Sequence, residues 1–339
     1  MHPYKNLSPK KFWKTGAFDR KFEALEDLVS PKFALRKNTS IATYGSCFAQ
    51  NIGKYLVKKN FNWQYTEQHP PGLINDEDIL KYGYKIFSSR TGNIYTTSLF
   101  QQWVDWCFGE NEMPSEYWED DNGLIDPFRP SIPKGVFFTS NELHNSRLHT
   151  LKCFKDSLIN SDVLVFTLGL TECWLNKDGY EYPNCPGTIG GTFDRNKHYF
   201  YNHNYQSTYD ALESALEKIK KINENLKVLL TVSPVPLTAT YSDDHVITAT
   251  IKSKSILRSV ADELSKKEYV DYFPSFEMFT SHITKGEFFE NNLRTPNARG
   301  VMTAMEIFGK KYLDLENFES DESINEGIIC EEELLSSIR

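Results

Sequence analysis

The chain has 339 residues, a length that suits one large domain or two small ones. Hydrophobic residues make up 40% and charged residues 25%, as in ordinary globular proteins, and the formal net charge is −8. This negative charge argues against a nucleic-acid partner. The N-terminus lacks the apolar core of a secretory signal, and no apolar run is long enough to span a bilayer. We therefore expect a cytoplasmic protein with no membrane span.

Apolar periodicity predicts strands that alternate with helices. The predicted strands are residues 41–44, 162–168, 227–232 and 270–273, and the predicted helices are residues 50–59, 93–108, 141–160, 209–225, 248–266 and 301–312. Continuous apolar runs such as 162–168 are typical of strands that are buried on both faces. Residues 176–205 are rich in Gly, Asn and aromatic residues and are predicted to be irregular.

This order of elements favours a three-layer α/β/α fold around a mainly parallel sheet, flavodoxin-like in its layering. We place an N-terminal arm at residues 1–37, with a short helix at 22–28. The α/β domain follows at residues 38–314, and an acidic tail at residues 315–339. The six cysteines are scattered and form no C-x-x-C pair, so we expect reduced thiols, no zinc ribbon and no bound metal.

Gly45 and Ser46 lie between the first predicted strand and the first predicted helix. A serine at such a junction sits at the carboxyl edge of the sheet, close to the free N–H groups of the helix, and this suits a nucleophile. The same residues also fit a tight turn in which Ser46 only caps the helix. Polar residues around Gly169 and Ser233 follow two further strands, so parallel strands would bring all three motifs to one edge.

The string GSCFA at residues 45–49 resembles the signature of the GSCFA-domain family, which is grouped with the SGNH hydrolases. Four other stretches are similar to this family in the same order: GNIYT at 92–96, FTLGLTECW at 166–174, TVSPVPL at 231–237 and YFPSFE at 272–277. The resemblance covers roughly residues 38–309. It implies an SGNH-hydrolase-like fold and acyl-ester chemistry on a carbohydrate, with O-acetyl transfer in bacterial surface-polysaccharide biosynthesis as the leading function.

The resemblance also implies roles for individual residues. Ser46 would be the nucleophile, and its N–H would share the oxyanion with donors at Gly92 and Asn93. In SGNH hydrolases, a third sequence motif supplies an asparagine side chain to the oxyanion. The corresponding stretch of this chain has Thr171 or Glu172 instead. Gly169 and Ser233 would then contact the substrate or cofactor.

The expected general base is missing from its usual place. SGNH hydrolases carry Asp-x-x-His near the last helix, and this chain has Asn292 and Thr295 at those positions. A serine without a base is a poor nucleophile, so another group must act or the chemistry has changed. His245, which follows two aspartates, is our preferred substitute. The alternatives are His149, His198, His203 and His282 as bases, and Cys47 as the nucleophile.

A transferase would need an acyl donor, and acetyl-CoA is the candidate cofactor. Arg294 is the first choice to bind its phosphates, whereas Lys254 and Arg258 are better explained by a solvated helix face. Two alternatives remain open on the sequence. The chain is either a carbohydrate O-acetylesterase or a non-catalytic carbohydrate-binding protein with a degenerate site.

Overall fold

The structure is a computed structural model that describes residues 2–21 and 26–315. Its strands and helices in chain order are β1 (Ile41–Gly45), α1 (Ala49–Lys58), α2 (Asp76–Lys81), α3 (Thr97–Phe108), β2 (Trp118–Asp120), β3 (Gly123–Ile125), α4 (Ser140–Ile159), β4 (Val163–Leu168), β5 (Glu172–Asn176), β6 (Glu181–Tyr182), β7 (His198–Asn202), α5 (Tyr205–Ile222), β8 (Lys227–Val232), α6 (Val246–Leu264), β9 (Val270–Phe273), α7 (Ser275–Thr280) and α8 (Ala298–Tyr312). Across these described residues, no helix combines the length and the apolarity that a membrane crossing requires.

The central sheet contains β1, β4, β8 and β9 in that order, and every neighbouring pair is parallel. All residues of β1 and β4 are buried, the pattern of strands that are covered on both faces. The predicted parallel sheet is confirmed.

Each face of the sheet contributes to its own apolar layer. Tyr44, Phe166 and Leu230 pack in the layer that contains side chains of α3, α4, α5 and α6. Val165 and Leu229 point the other way, because side chains alternate along a strand, and pack with α1, α7 and α8. The fold is therefore the predicted three-layer α/β/α arrangement.

Strand β1 lies at the edge of the sheet, and the chain between α1 and α3 covers its outer side. The Ser88 N–H donates to the Thr43 carbonyl at 3.3 Å, and the Ile94 N–H donates to the Gly45 carbonyl at 2.9 Å. Covering an edge strand in this way prevents it from pairing with other chains. It also brings residues 92–95 beside the end of β1.

The predicted helix over residues 93–108 begins later than expected, at Thr97. Thr96 is its N-cap, and the Thr96 hydroxyl accepts a hydrogen bond from the Leu99 N–H at 3.0 Å. The residues just before Thr96 are bonded to other segments: the Ile94 N–H donates to the Gly45 carbonyl, and the Tyr95 carbonyl accepts from Gly169 and Leu170. The predicted start of this helix at residue 93 was therefore wrong.

The prediction for residues 176–205 was also wrong, because they contain two strands of a separate antiparallel sheet. Its order is β6-β5-β7. Burial alternates along β7, where His198 is buried while Tyr199 and Tyr201 are exposed. Aromatic residues occupy both faces of this strand, so the sequence shows no alternation of polar with apolar residues.

The segment before β1 has two parts. Residues 2–21 contain no buried residue, whereas Val29 and Leu35 are buried in the layer that contains α1 and α8. Residues 26–28 form a 3₁₀ turn. The rest of the short helix predicted at 22–28, like the tail at 316–339, lies outside the described residues. The proposed division at residue 37 stays a prediction.

Candidate functional site

Ser46 follows β1 directly, and the position before it requires glycine. Gly45 has a φ of +124°, and a Cβ there would lie 2.3 Å from the Thr167 carbonyl oxygen. The Ser46 N–H donates to that same carbonyl at 3.0 Å, which extends the sheet pairing one residue past β1. Ser46 therefore sits at the carboxyl edge of the sheet.

The Ser46 hydroxyl is buried without a hydrogen-bond partner. The residue is only 2% exposed, and Oγ contacts no donor or acceptor within the described part of the chain. An unpaired buried hydroxyl costs on the order of 1–3 kcal/mol. Such a group calls for an explanation, and a reactive or ligand-binding role is one of the few available.

The Ser46 N–H was expected to stabilise an oxyanion, and the structure corrects this because Thr167 already accepts from it. Two nearby backbone amides remain candidates. Within residues 2–21 and 26–315, neither the Phe48 N–H nor the Gly92 N–H donates to an acceptor. Phe48 is the N-cap of α1, so its N–H lies at the positive end of the helix dipole.

The segment from Gly92 to Tyr95 lies beside Ser46. It is held there by the Ile94 N–H, which bonds to Gly45, and by the Tyr95 carbonyl, which accepts from the N–H groups of Gly169 and Leu170. Gly92 has a φ of +71°, and Asn93 is buried next to it. The segment that contains Gly92 and Asn93 is thus bonded to the same end of β1 that Ser46 follows.

Gly169 makes the closest approach to the Ser46 side chain from the end of β4. A Cβ on Gly169 would lie 3.0 Å from the Ser46 Cβ and 2.9 Å from the Tyr95 carbonyl oxygen. Any larger residue would therefore press on the candidate nucleophile. Gly169 belongs to the site, although it offers no free N–H because that group bonds to Tyr95.

The next two residues of this block do not serve Ser46. The Thr171 hydroxyl donates to the Asn202 side chain at 2.8 Å. The Glu172 carboxylate accepts from the Thr240 hydroxyl at 2.6 Å, and burial raises the pKa of Glu172 above its usual value. The structure gives the expected oxyanion roles of Thr171 and Glu172 no support, since both side chains are directed to other partners.

Ser233 reaches the same sheet edge from the end of β8, because its N–H donates to the Leu168 carbonyl at 2.8 Å. Its hydroxyl is occupied as well: it accepts from the Val235 N–H at 3.3 Å. Ser233 therefore lies at the same edge of the sheet as Ser46, but its hydroxyl has a hydrogen-bond partner.

His245 is not brought to Ser46. It is the N-cap of α6, it is exposed, and its Nδ1 accepts from the Ile247 N–H at 3.2 Å. The structure therefore gives its proposed role as base no support. The other candidate histidines have partners elsewhere: His149 contacts Cys153, His198 contacts the Asp194 N–H, His203 contacts Ser98, and His282 stacks on Trp13. Cys47, the alternative nucleophile, is buried.

The loop in place of the Asp-x-x-His motif lies near the start of α1. Phe48 packs on Phe279, whose ring also contacts Phe288 and Phe289. In this loop the Asn292 amide donates to the Thr295 hydroxyl at 2.9 Å. The two residues therefore bond to each other in a turn, and neither can act as a base at neutral pH. Arg294, between them, is partly buried.

The burial of Lys254 differs from what its sequence predicts. We expected it on a solvated helix face, but it is 1% exposed, and its Nζ donates to the Gly169 carbonyl at 2.6 Å. A signal was present, since Lys254 lies three and seven positions before the buried residues Leu257 and Ala261 on the same helix. Arg258 is only partly buried and pairs with Glu277.

An aromatic pocket of about 440 Å³ begins at Leu170, directly beyond Gly169. Its walls combine aromatic and aliphatic side chains with a few polar ones, among them Glu172, Trp174, Arg195, Phe200 and Tyr241. An apolar cavity with few polar groups is the usual form of a small-molecule site. Leu170 lines this pocket and directly follows Gly169 in the chain.

The chain is similar to known proteins at the level of a family model and of one solved structure. The model of the GSCFA family matches residues 40–308. Among solved structures, a protein described as a GDSL-like lipase from Parabacteroides merdae ATCC 43184 is similar over 83% of this chain and 98% of its own, with 13% identity and a TM-score of 0.38. No curated protein matches the chain.

Proposed function

The chain belongs to the GSCFA family, and we propose that it carries out esterase-type acyl chemistry with Ser46 as the nucleophile. The observation that carries this proposal is the Ser46 hydroxyl, buried and unpartnered within the described residues at the carboxyl edge of a parallel sheet. Ligands of such sheets bind at this edge.

In the first step Ser46 Oγ attacks the carbonyl carbon of the ester, and the carbonyl oxygen becomes an oxyanion. The Phe48 and Gly92 N–H groups are the donors proposed to stabilise this negative charge. The alcohol then leaves with a proton, and an acyl group remains on Ser46. Water or a sugar hydroxyl attacks this acyl group in the second step and regenerates Ser46.

Lys254 is proposed to accept the Ser46 proton on a neutral Nζ, since an ammonium group has no lone pair to take it. Lys254 is the buried basic group bonded to Gly169, and Gly169 contacts Ser46. Serine–lysine pairs replace the serine–histidine pair on several unrelated folds. This assignment replaces His245, which is exposed and caps a helix.

The nucleophile is tested by hydrolysis of p-nitrophenyl acetate. We expect Ser46→Ala to lower kcat/KM by at least about 10³-fold while the protein stays folded, because a nucleophile cannot be replaced by its neighbours. Ser233→Ala is the matched control, since Ser233 is a buried serine on the same edge with an occupied hydroxyl. A folded Ser46→Ala variant with normal turnover would exclude Ser46.

The proposed role of Lys254 as the base is tested by comparing the Lys254→Met variant with the Arg258→Met variant. Both residues lie on α6, but Arg258 pairs with Glu277 and Asp262, away from Ser46. Loss of a general base typically costs about 10²–10⁴-fold in rate, and we expect this loss in kcat, with a changed pH profile, only in Lys254→Met. An unchanged pH profile in a folded Lys254→Met variant would remove Lys254 from the reaction.

We propose a carbohydrate as the substrate, with the aromatic pocket as its binding site. The rings of Trp174, Phe200 and Tyr241 offer faces for a sugar ring, and Glu172 and Arg195 offer hydrogen bonds to its hydroxyls. Trp174→Ala should raise KM for an acetylated sugar while leaving kcat for p-nitrophenyl acetate nearly unchanged. Equal KM values for the sugar would exclude this pocket.

We further propose that the chain transfers an O-acetyl group from acetyl-CoA in polysaccharide biosynthesis. Arg294 would bind a phosphate of the CoA. Calorimetry with CoA tests it. Arg294→Ala should weaken binding by on the order of 1.5–3 kcal/mol, the value of one charge-assisted hydrogen bond. No heat and no melting shift at millimolar CoA would exclude transfer from CoA and favour a carbohydrate O-acetylesterase.

A second candidate function, non-catalytic carbohydrate binding, is favoured by the Asn292–Thr295 pair that replaces the usual acid–histidine motif. It predicts that acetylated sugars bind equally well to the wild type and to Ser46→Ala, and that neither protein turns them over.

A further inference from the structure

The small antiparallel sheet brings three side chains with metal-binding atoms together. Cys173 lies on β5, Glu181 on β6, and His203 directly after β7. All three are buried, and one ligand atom from each lies within 4.8 Å of the other two. Each strand of the sheet therefore contributes one potential ligand.

The distances between these atoms suit a tetrahedral metal ion. The Cys173 Sγ lies 3.4 Å from the His203 Nε2, and the Glu181 Oε2 lies 3.8 Å from the same nitrogen. With metal–ligand bonds of about 2.0–2.3 Å, tetrahedral angles place neighbouring ligand atoms roughly 3.4–3.7 Å apart. An ion could thus bind with only small movements of these side chains.

The charge of Glu181 is poorly compensated by the protein. Its carboxylate is 3% exposed, and its only ion-pair partner in the described part of the chain is His203. The hydroxyls of Thr96 and Ser98 donate to its two oxygens but bring no charge. A buried carboxylate is costly unless a cation accompanies it, and a divalent ion would supply that charge.

The surrounding residues hold the ligands as outer partners of a metal site do. The His203 Nδ1 lies 3.3 Å from the Ser207 hydroxyl, which directs Nε2 toward Cys173 and Glu181. The His203 backbone N–H donates to the Thr171 carbonyl at 2.8 Å. Such second partners fix the orientation of metal-binding side chains.

We propose that Cys173, Glu181 and His203 bind one Zn²⁺ ion, with a fourth position open to ligand or water. Cys, His and Glu are all zinc ligands, and three protein ligands with an open position are typical of catalytic zinc. Glu181, His203 and Ser98 line a cleft of about 480 Å³, whereas Cys173 lines the aromatic pocket. The ion would therefore lie between these two cavities.

Binding requires two local changes. The Ser98 hydroxyl lies 2.8 Å from Nε2, so it must rotate away or become the fourth ligand. Burial raises the pKa of the Cys173 thiol, so the metal must displace its proton, which is released to solvent. The sequence analysis expected no metal because the cysteine and the histidine are 30 positions apart and form no short motif.

Cobalt titration of the chelator-treated full chain tests the proposal. We expect one equivalent of Co²⁺ to bind and to produce a thiolate-to-cobalt charge-transfer band. Cys173→Ser should abolish that band, and His203→Ala should weaken binding at least tenfold. Cys153→Ser is the matched control, because Cys153 also contacts a histidine, His149 at 3.6 Å, but has no place in the three-residue cluster; this variant should bind cobalt normally.

If a variant fails to fold, X-ray absorption of the zinc-loaded wild type still tests the proposal, because it identifies the atoms bound to zinc without any substitution. The expected first shell contains one sulfur and two or three nitrogen or oxygen atoms, and zinc should raise the Tm by mass action. Absence of stoichiometric binding, a shell without sulfur, or a charge-transfer band that survives in folded Cys173→Ser would overturn the proposal. Ser46→Ala should bind zinc normally, so the result is independent of the esterase proposal.

Discussion

Gly45 and Gly169 hold Ser46 in place because neither position has room for a side chain. A Cβ at Gly45 would meet the backbone of Thr167, and a Cβ at Gly169 would meet Ser46 itself. These two close approaches explain why a hydroxyl can be buried there without a partner among the described residues. The position of Ser46 therefore depends on the absence of side chains at Gly45 and Gly169.

Gly169→Ala should damage the site more than the fold. The added methyl group would lie 3.0 Å from the Ser46 Cβ and 2.9 Å from the Tyr95 carbonyl. Overpacking of this kind costs about 1–3 kcal/mol, and we expect ester hydrolysis to fall sharply because Ser46 must move. Gly72→Ala, where no atom lies within 4 Å of the new methyl, is the control. Full turnover in Gly169→Ala would contradict this view of the site.

Ser46→Ala should leave stability unchanged or raise it by up to about 1–3 kcal/mol, because it removes an unsatisfied buried hydroxyl. Urea unfolding measures the change. Ser275→Ala is the comparison: the buried Ser275 hydroxyl bonds to the Val232 carbonyl at 2.8 Å and to Thr231 at 2.6 Å, so its loss should destabilise. A destabilised Ser46→Ala variant would mean that the hydroxyl has a partner in solution.

At the scale of elements, strands were predictable where both faces are buried and apolar, and they were missed in the small sheet, where aromatic residues occupy both faces of β7. β4 and β8 were predicted directly from their continuous apolar runs. β6 and β7 were not predicted, so the sequence did not reveal the cluster of Cys173, Glu181 and His203 that these strands help to bring together. Contacts made by a small sheet depend on strand pairing, which local periodicity does not encode.

A buried ionic cluster ties α4 to the loop after β3. Asp126 accepts from Arg129 at 2.7 Å and from Arg147 at 3.0 Å, and all three side chains are fully or almost fully buried. Burial alone would raise the pKa of Asp126, but the two guanidinium groups outweigh it and hold the pKa below its ordinary value.

Asp126→Asn should destabilise the protein by about 3–5 kcal/mol, because it leaves two arginines without their carboxylate. The depressed pKa also sets the sign of the pH dependence. The stability from Asp126 is present above the unfolded carboxyl pKa of about 4 and is lost as pH falls through the lower folded pKa. Acid unfolding should be less steep in Asp126→Asn, and an identical acid profile would contradict the assignment.

At the scale of the whole molecule, the described part of the chain before β1 buries side chains in the domain only near its end, whereas Trp13 stacks on His282 at the surface. Leu35 donates its N–H to the Tyr312 carbonyl at 2.7 Å and accepts from the Asp314 N–H at 2.9 Å. Leu35 thereby links the start of the domain to the end of α8. Residues 2–21 bury no residue.

Two truncations test this division. Removal of residues 2–21 should change the Tm little, whereas removal of residues 2–37 should lower it strongly, since it deletes the buried Val29 and Leu35. Thermal melting of both truncated proteins is the measurement. Equal melting temperatures would show that Leu35 and Val29 contribute little.

The layers, the parallel sheet and the place of Ser46 were predictable because they follow from strand order. The roles around Ser46 were not, because they depend on side-chain direction. Thr171 and Glu172 follow a predicted strand but point to other partners, and His245 caps a helix. Lys254 is buried because it lies on the inward face of α6, and a count of charges could not reveal this.

The most direct test of the central claim is covalent labelling of the native protein with a fluorophosphonate, followed by digestion and mass spectrometry. A serine nucleophile attacks the phosphorus and displaces fluoride, so the account predicts a single phosphonyl adduct on Ser46. Labelling should be absent from Ser46→Ala and should persist in Ser233→Ala. No adduct on the folded wild type, or an adduct on any other residue, would contradict the claim that Ser46 is the nucleophile.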